Sequence, residues 1–181
     1  MKNTLLTLFL MGLTVSSFSQ ETYKLSDTSV MTIDGSSSLH DWTVTANTME
    51  GTVAENGESV TAVDFSVAVA DILSDRAAAM DNKMHEALKK EEHPKVTFKV
   101  KDVNAAMGEN QELKGKLNIA GVENDVSVPA TITQKDGKLH ITGERKIALK
   151  DYNIEPPTAM FGSIVVGDDV TVKFDLVFTK S

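Results

Sequence analysis

Apolar residues recur at every second position over most of this chain, the period that places them on one face of a β-strand. Val63, Phe65, Val67 and Val69 form one series, and Val96, Phe98 and Val100 form another after Pro94. Leu113, Gly115, Leu117 and Ile119 follow, ending at Ala120-Gly121, and then come Val126, Val128, Ala130 and Ile132. Leu139, Ile141, Gly143, Arg145, Ile147 and Leu149 share one parity, and Val170, Val172, Phe174, Leu176 and Phe178 make the last series. Weaker alternation marks Val44 with Ala46, and Gly51 with Val53. Asn56-Gly57 and Asp136-Gly137 are hairpin dipeptides, because these residue types tolerate the positive φ of tight turns between antiparallel strands.

Ser74 to Glu92 departs from this period. It is rich in Ala, Met, Lys and Glu, and predicts a helix. Ser74 or Asp75 is placed to cap its start, and His93-Pro94 to stop it. Met80, Met84 and Leu88 share a stripe, which predicts packing against the sheet. One helix cannot cover both faces of a sheet. A sheet closed on itself hides its apolar face and loses its edges. The expected fold is therefore mainly β: an antiparallel barrel of about eight strands with one helix packed on it.

The N-terminus has a different pattern. One charge in Met1-Lys2-Asn3 precedes an uncharged, mostly apolar run from Thr4 to Phe18, with small side chains at Ser17 and Ser19. This predicts a secretory signal peptide over residues 1–19, cleaved near Ser19, and a single exported domain over 20–181 in the periplasm or the medium. The run is too short for a transmembrane anchor, and no second long apolar run exists, so a membrane-spanning protein is not expected. With 18 basic and 26 acidic residues the net charge is −8, and no basic patch favours nucleic acid. The absence of cysteine excludes disulfides, thiol nucleophiles and thiolate metal sites.

No Gly-x-Ser-x-Gly elbow, His-Glu-x-x-His helix or glycine-rich phosphate loop is present, and no catalytic residue is assigned. His85 and His93 are not at the spacing of a helical metal pair. Met80, Met84 and His85 suit soft copper by residue type, but core methionines and a solvent-facing histidine account for them, and no metal is expected. Two constellations stand out. Gly35-Ser36-Ser37-Ser38-Leu39-His40-Asp41-Trp42 holds the sole tryptophan beside a His-Asp pair. It reads either as a structural corner, with Trp42 in the core and His40 or Asp41 on local backbone, or as a ligand contact. An enzyme using His40 and Asp41 would still lack a nucleophile. Arg145 has the parity of its apolar neighbours and points into the barrel, where it needs a carboxylate or a ligand anion, unless a bulge near Gly143 turns it to solvent.

Taken in order, several segments resemble the YceI-like family. They are the Gly35–Trp42 corner, Arg76 with Met80 and Met84, and His93-Pro94-Lys95-Val96-Thr97-Phe98. Gly115-x-Leu117-x-Ile119-x-Gly121-Val122 follows, with Val126-x-Val128-Pro129, and then Leu149 through Gly167-Asp168-Asp169-Val170. The resemblance implies an extended lipocalin-like barrel whose apolar tunnel takes an isoprenoid chain, with the polar head near the mouth. Parity and resemblance together nominate Trp42, Phe65, Val67, Met80, Met84, Phe98, Leu117, Ile119, Ile141 and Phe174 for the tunnel. His40, Arg76 and Arg145 are the head-group candidates. The expected function is non-enzymatic binding, transport or sequestration of an amphiphile such as a polyprenyl phosphate or quinone, with no other cofactor. The alternative is a ligand-free stress-response or interaction module whose barrel is filled by its own side chains.

Overall fold

The strand series read from the sequence become walls of one closed sheet. The structure, a computed structural model, describes residues 20–57, 59–75 and 78–181; the expected leader and Arg76 lie outside the described residues. In chain order the strands are β1 (Glu21–Leu25), β2 (Val30–Ser37), β3 (Trp42–Ala46), β4 (Met49–Asn56), β5 (Ser59–Ala68) and β6 (Ile72–Ser74). Helix α1 (Ala78–Ala87) follows. Then come β7 (Lys95–Val100), β8 (Ala105–Ala106), β9 (Gly108–Ile119), β10 (Val122–Lys135), β11 (Lys138–Ala148), β12 (Thr158–Ala159) and β13 (Ile164–Lys180).

β1, β4, β5, β7, β9, β10, β11 and β13 form an antiparallel ring, closed by the pairing of β13 with β1. Three walls bend partway along. β2 carries on beside β13 where β1 leaves it, β3 pairs β2 as β4 pairs β1, and β6 pairs β3 as β5 pairs β4. The result is an eight-walled barrel whose β2–β3–β6 end flares outward from the rest.

Turn chemistry sets the register. Asp136 (φ 52) and Gly137 (φ 74) form a two-residue turn with both residues at positive φ, as the dipeptide predicts. Ala120 (φ 50) and Gly121 (φ 84) make an equivalent turn between β9 and β10. At the other predicted hairpin Asn56 pairs with Ser59 and stays in the strand, so Gly57 (φ 68) opens the turn.

The helix differs from expectation in length and in its buried face. Ser74 closes β6, and residues 76–77, between the expected caps and α1, lie outside the described residues; the helix ends at Ala87, before Lys89 turns left-handed (φ 54), well short of Pro94. Its buried residues are Asp81 and His85, 8% and 6% exposed, whereas Met80 is 41% exposed. His85 thus does not face solvent. The cause is the free edge of β6, which among the described residues pairs only with β3. Asp81 Oδ1 accepts from the Ser74 backbone N–H (3.0 Å) and hydroxyl (2.7 Å), and His85 Nε2–H donates to the Ile72 carbonyl (2.9 Å). Residues one helical turn apart satisfy an edge that no strand covers. Met84 and Leu88 are half-buried against the core, as the stripe predicts.

Packing is uneven along the barrel axis. Toward the β1–β4 end, Val53, Val60, Ile132, Leu139 and Phe178 have no exposed surface and fill the interior. Toward the flared end the inward residues surround a space.

Candidate functional site

A cavity of about 380 Å³ occupies the flared half of the barrel. Its size falls in the usual ~300–1,000 Å³ of small-molecule sites. All ten apolar residues nominated from the sequence line it: Trp42, Phe65, Val67, Met80, Met84, Phe98, Leu117, Ile119, Ile141 and Phe174. Phe178 forms its floor, and α1 roofs one side through Met80, Lys83, Met84 and Ala87, with Leu88 just beyond it. The mouth is where lining residues reach solvent, at His40, Thr43, Met80, Lys83 and Thr158. Sequence reading missed Met31 and Ile33 of β2, and Ile154, Ile164 and Val166 beyond β11. The signal for β2 was present in the parity of Met31, Ile33, Gly35 and Ser37, three of which line the cavity.

Trp42 unites the two readings of its segment. Its indole lies on Gly35, where a Cβ would stand only 2.2 Å from Cζ2, and its Nε1–H donates to the Ser36 carbonyl (2.9 Å). The ring is fixed by local backbone and still presents a face to the cavity. Phe174 covers Gly143 in the same way, its Cζ within 2.8 Å of the place a Cβ would take. The preceding turn is organised by Ser37, whose hydroxyl donates to the His40 carbonyl (2.8 Å) and accepts from the backbone N–H groups of Leu39 (3.3 Å) and His40 (3.2 Å). His40 lines the cavity, and its Nδ1–H donates to the carbonyl of Asp41 (3.0 Å).

Arg145 points inward. β11 pairs β13 without a break from Lys138 to Ala148, so no bulge at Gly143 reverses its parity. Nη1 donates to the Ser127 carbonyl, and among the described residues Arg145 forms no ion pair. Its charge is felt nearby. Burial raises the pKa of the Tyr152 phenol, while the Asn124 hydrogen bond and the Arg145 cation pull it back. The cavity wall therefore carries a half-buried cation with a carbonyl but no carboxylate beside it. Lys83, on the helix side, is a second cation at the mouth.

The filled end holds a polar group that sequence patterns did not signal. The Tyr23 hydroxyl donates to Glu21 Oε2 (3.2 Å) and accepts from Gln134 Nε2 across the barrel (3.0 Å). Glu55 lies beside it, 3% exposed, with Oε2 unpartnered. Burial, then the Glu55 and Glu21 carboxylates, push the Tyr23 pKa up to about 12. Among the described residues, no three histidine or carboxylate side chains gather in a way that could hold a metal ion, and no helix is long and apolar enough to cross a membrane.

Comparison with solved structures places this architecture among known barrels. BcnA of Burkholderia cenocepacia superposes with a TM-score of 0.70 at 20% identity, covering 82% of this chain and 95% of that one. A polyisoprenoid binding domain from Saccharophagus degradans, implicated in plant cell wall breakdown, gives 0.69 at 14% identity, covering 88% and 98%. The Campylobacter jejuni YCEI protein gives 0.61 at 18% identity, covering 100% and 99%. No functionally curated protein matches the chain. The model of the YceI-like domain matches residues 22–178, nearly the whole of the described barrel, and the chain belongs to that family.

Proposed function

We propose that this protein is a non-enzymatic carrier that holds one isoprenoid-type amphiphile, such as a polyprenyl phosphate or quinone, in the barrel cavity outside the cytoplasm. The observation that carries this reading is the cavity itself: apolar on nearly every side, open at one end, with the cation of Arg145 in its wall. Extracting an isoprenoid chain from water contributes about 25 cal/mol per Å² buried, less the cost of ordering ligand and protein. Water that fills an apolar space in place of a ligand finds few hydrogen-bond partners on its walls, which supports an apolar occupant over the ligand-free alternative. The Saccharophagus neighbour, a polyisoprenoid binding domain, agrees with a prenyl occupant. The leader pattern is the support for export.

Native mass spectrometry of protein purified from its own host tests the reading. The expected result is a lipid adduct at near-equal molar amount, released by solvent extraction. Trp42, the single tryptophan, supplies a second readout: titration with a polyprenyl ligand should shift its emission. A folded protein that carries no lipid and shows no shift across the titration overturns the carrier reading.

A further inference from the structure

The cavity mouth is rimmed by apolar side chains that nothing among the described residues covers. Phe161 is fully exposed, Leu39 is 66% exposed and Val165 44%. They come from two adjacent segments, the β2–β3 turn and the start of β13 with the residues before it, tied together: the Ser38 backbone N–H donates to the Val165 carbonyl (2.9 Å), and the Val165 N–H donates to the Ser38 hydroxyl (3.1 Å). Phe161 stands in the left-handed region (φ 56, ψ 38), followed by Gly162 at φ 87. A bulky residue seldom adopts that conformation, and here it holds an aromatic ring away from the fold.

This rim is continuous with the cavity wall. Ile164 and Val166 line the cavity while Val165 between them faces out, and Leu39 sits between lining residues Ser37 and His40. Met80, across the mouth on α1, both lines the cavity and is exposed. On the side of the two chain segments the rim lacks charge: in a chain that is 24% charged, Pro156–Gly167 and Gly35–Leu39 contain no Asp, Glu, Lys or Arg, and Lys83 is the cation on the helix side. The uncharged apolar segments enter the bilayer interface without desolvating an ion, and a lysine at the edge keeps its ammonium in the headgroup water, whereas the acidic body, net −8, gains nothing from an anionic surface. A prenyl lipid resides in a membrane, and a mouth seated in the interface spares it the passage through water.

We propose that this rim docks the open end of the barrel onto a lipid bilayer through Leu39, Phe161, Val165 and Met80, by apolar insertion, so that ligand passes between membrane and cavity. The proposal rests on the carrier reading and adds the surface through which loading occurs.

Flotation with phosphatidylcholine vesicles tests it, comparing wild type with a Leu39→Glu, Phe161→Glu variant. Both sites are exposed, so the barrel should stay folded by circular dichroism. Wild type should bind the vesicles equally in low and high salt, and should withdraw a fluorescent polyprenol from them. The variant should lose both activities by about tenfold or more, yet bind the same polyprenol added from ethanol at wild-type stoichiometry. If neither protein binds vesicles although both load from ethanol, docking is overturned and the carrier reading stands. If neither loads from ethanol, the carrier reading fails and docking falls with it. Self-association in sedimentation that the variant abolishes, without vesicle binding, would make the rim an interface between copies and overturn the membrane assignment.

Discussion

Arg145 shows how much a single residue's parity reveals. Its place among Leu139, Ile141, Ile147 and Leu149 announces an inward guanidinium, and the unbroken β11–β13 register keeps it there. What parity cannot announce is its partner, the Ser127 carbonyl on a strand that meets β11 only in the folded sheet. A carbonyl offsets part of the cost of burying the cation; a ligand phosphate in forked geometry would offset more. Arg145→Met keeps length and removes charge. It should weaken a polyprenyl phosphate by about tenfold or more, a loss of roughly 1.4 kcal/mol, and the matching polyprenol little. Equal losses in fluorescence titrations would make Arg145 structural. Tyr23 offers a second test at this scale. Its folded-state pKa, about 12, lies above the ordinary value of 10.0, so the fold favours the neutral phenol. That stability is fully present below pH 10 and is lost as pH rises from about 10 toward 12. Denaturant midpoints should fall across that window, and Tyr23→Phe should flatten the fall. The remaining slope belongs to Tyr152, the other tyrosine, and to Lys116 and Lys173, whose pKa values are also raised.

At the scale of elements, the long straight walls were legible and the bent ones were not. β9, β10, β11 and β13 each repeat their inward face often enough for period two to stand out. β1 and β2 share one wall, but the break at Ser26–Ser29 leaves each too few inward positions, and β2 ends on Gly35 and Ser37 because Trp42 needs a bare backbone to lie on. The helix was legible as a helix, yet its buried face was not, because apolar stripes reveal a core and say nothing of an unpaired strand edge. That edge makes Asp81 the pivot of α1. Asp81→Ala retains helix propensity but removes the acceptor of two hydrogen bonds from Ser74, at a cost of about 1–3 kcal/mol. Hydrogen exchange should quicken in β6 and α1 while β9 to β11 stay protected. Uniform quickening across the barrel would mean that α1 and the barrel open as one unit.

At the scale of the molecule, the division into a filled half and a hollow half is the property that alternation could not reveal. Period two says which residues point inward; it does not say how far apart facing walls stand at that height. Near the β1–β4 end Leu139, Ile132 and Phe178 belong to one packed core, whereas at the β2–β3–β6 end Ile119 and its neighbours line the cavity. The two halves should therefore answer substitution in opposite ways. Leu139→Ala, in the filled half, removes a side chain with no exposed surface and should cost about 2–5 kcal/mol of stability. Lipid stoichiometry in the protein that remains folded should not change. Ile119→Trp adds volume where the cavity has room for it. It should leave the melting temperature nearly unchanged, and lower the lipid that native protein carries. Both arms need only a thermal melt and an extraction on the same preparation. A large loss of stability in Ile119→Trp would show that this height is packed like the floor. Unchanged occupancy in a stable Ile119→Trp would place the ligand away from this wall, and occupancy lost in folded Leu139→Ala would extend the binding space through Phe178 into the filled half.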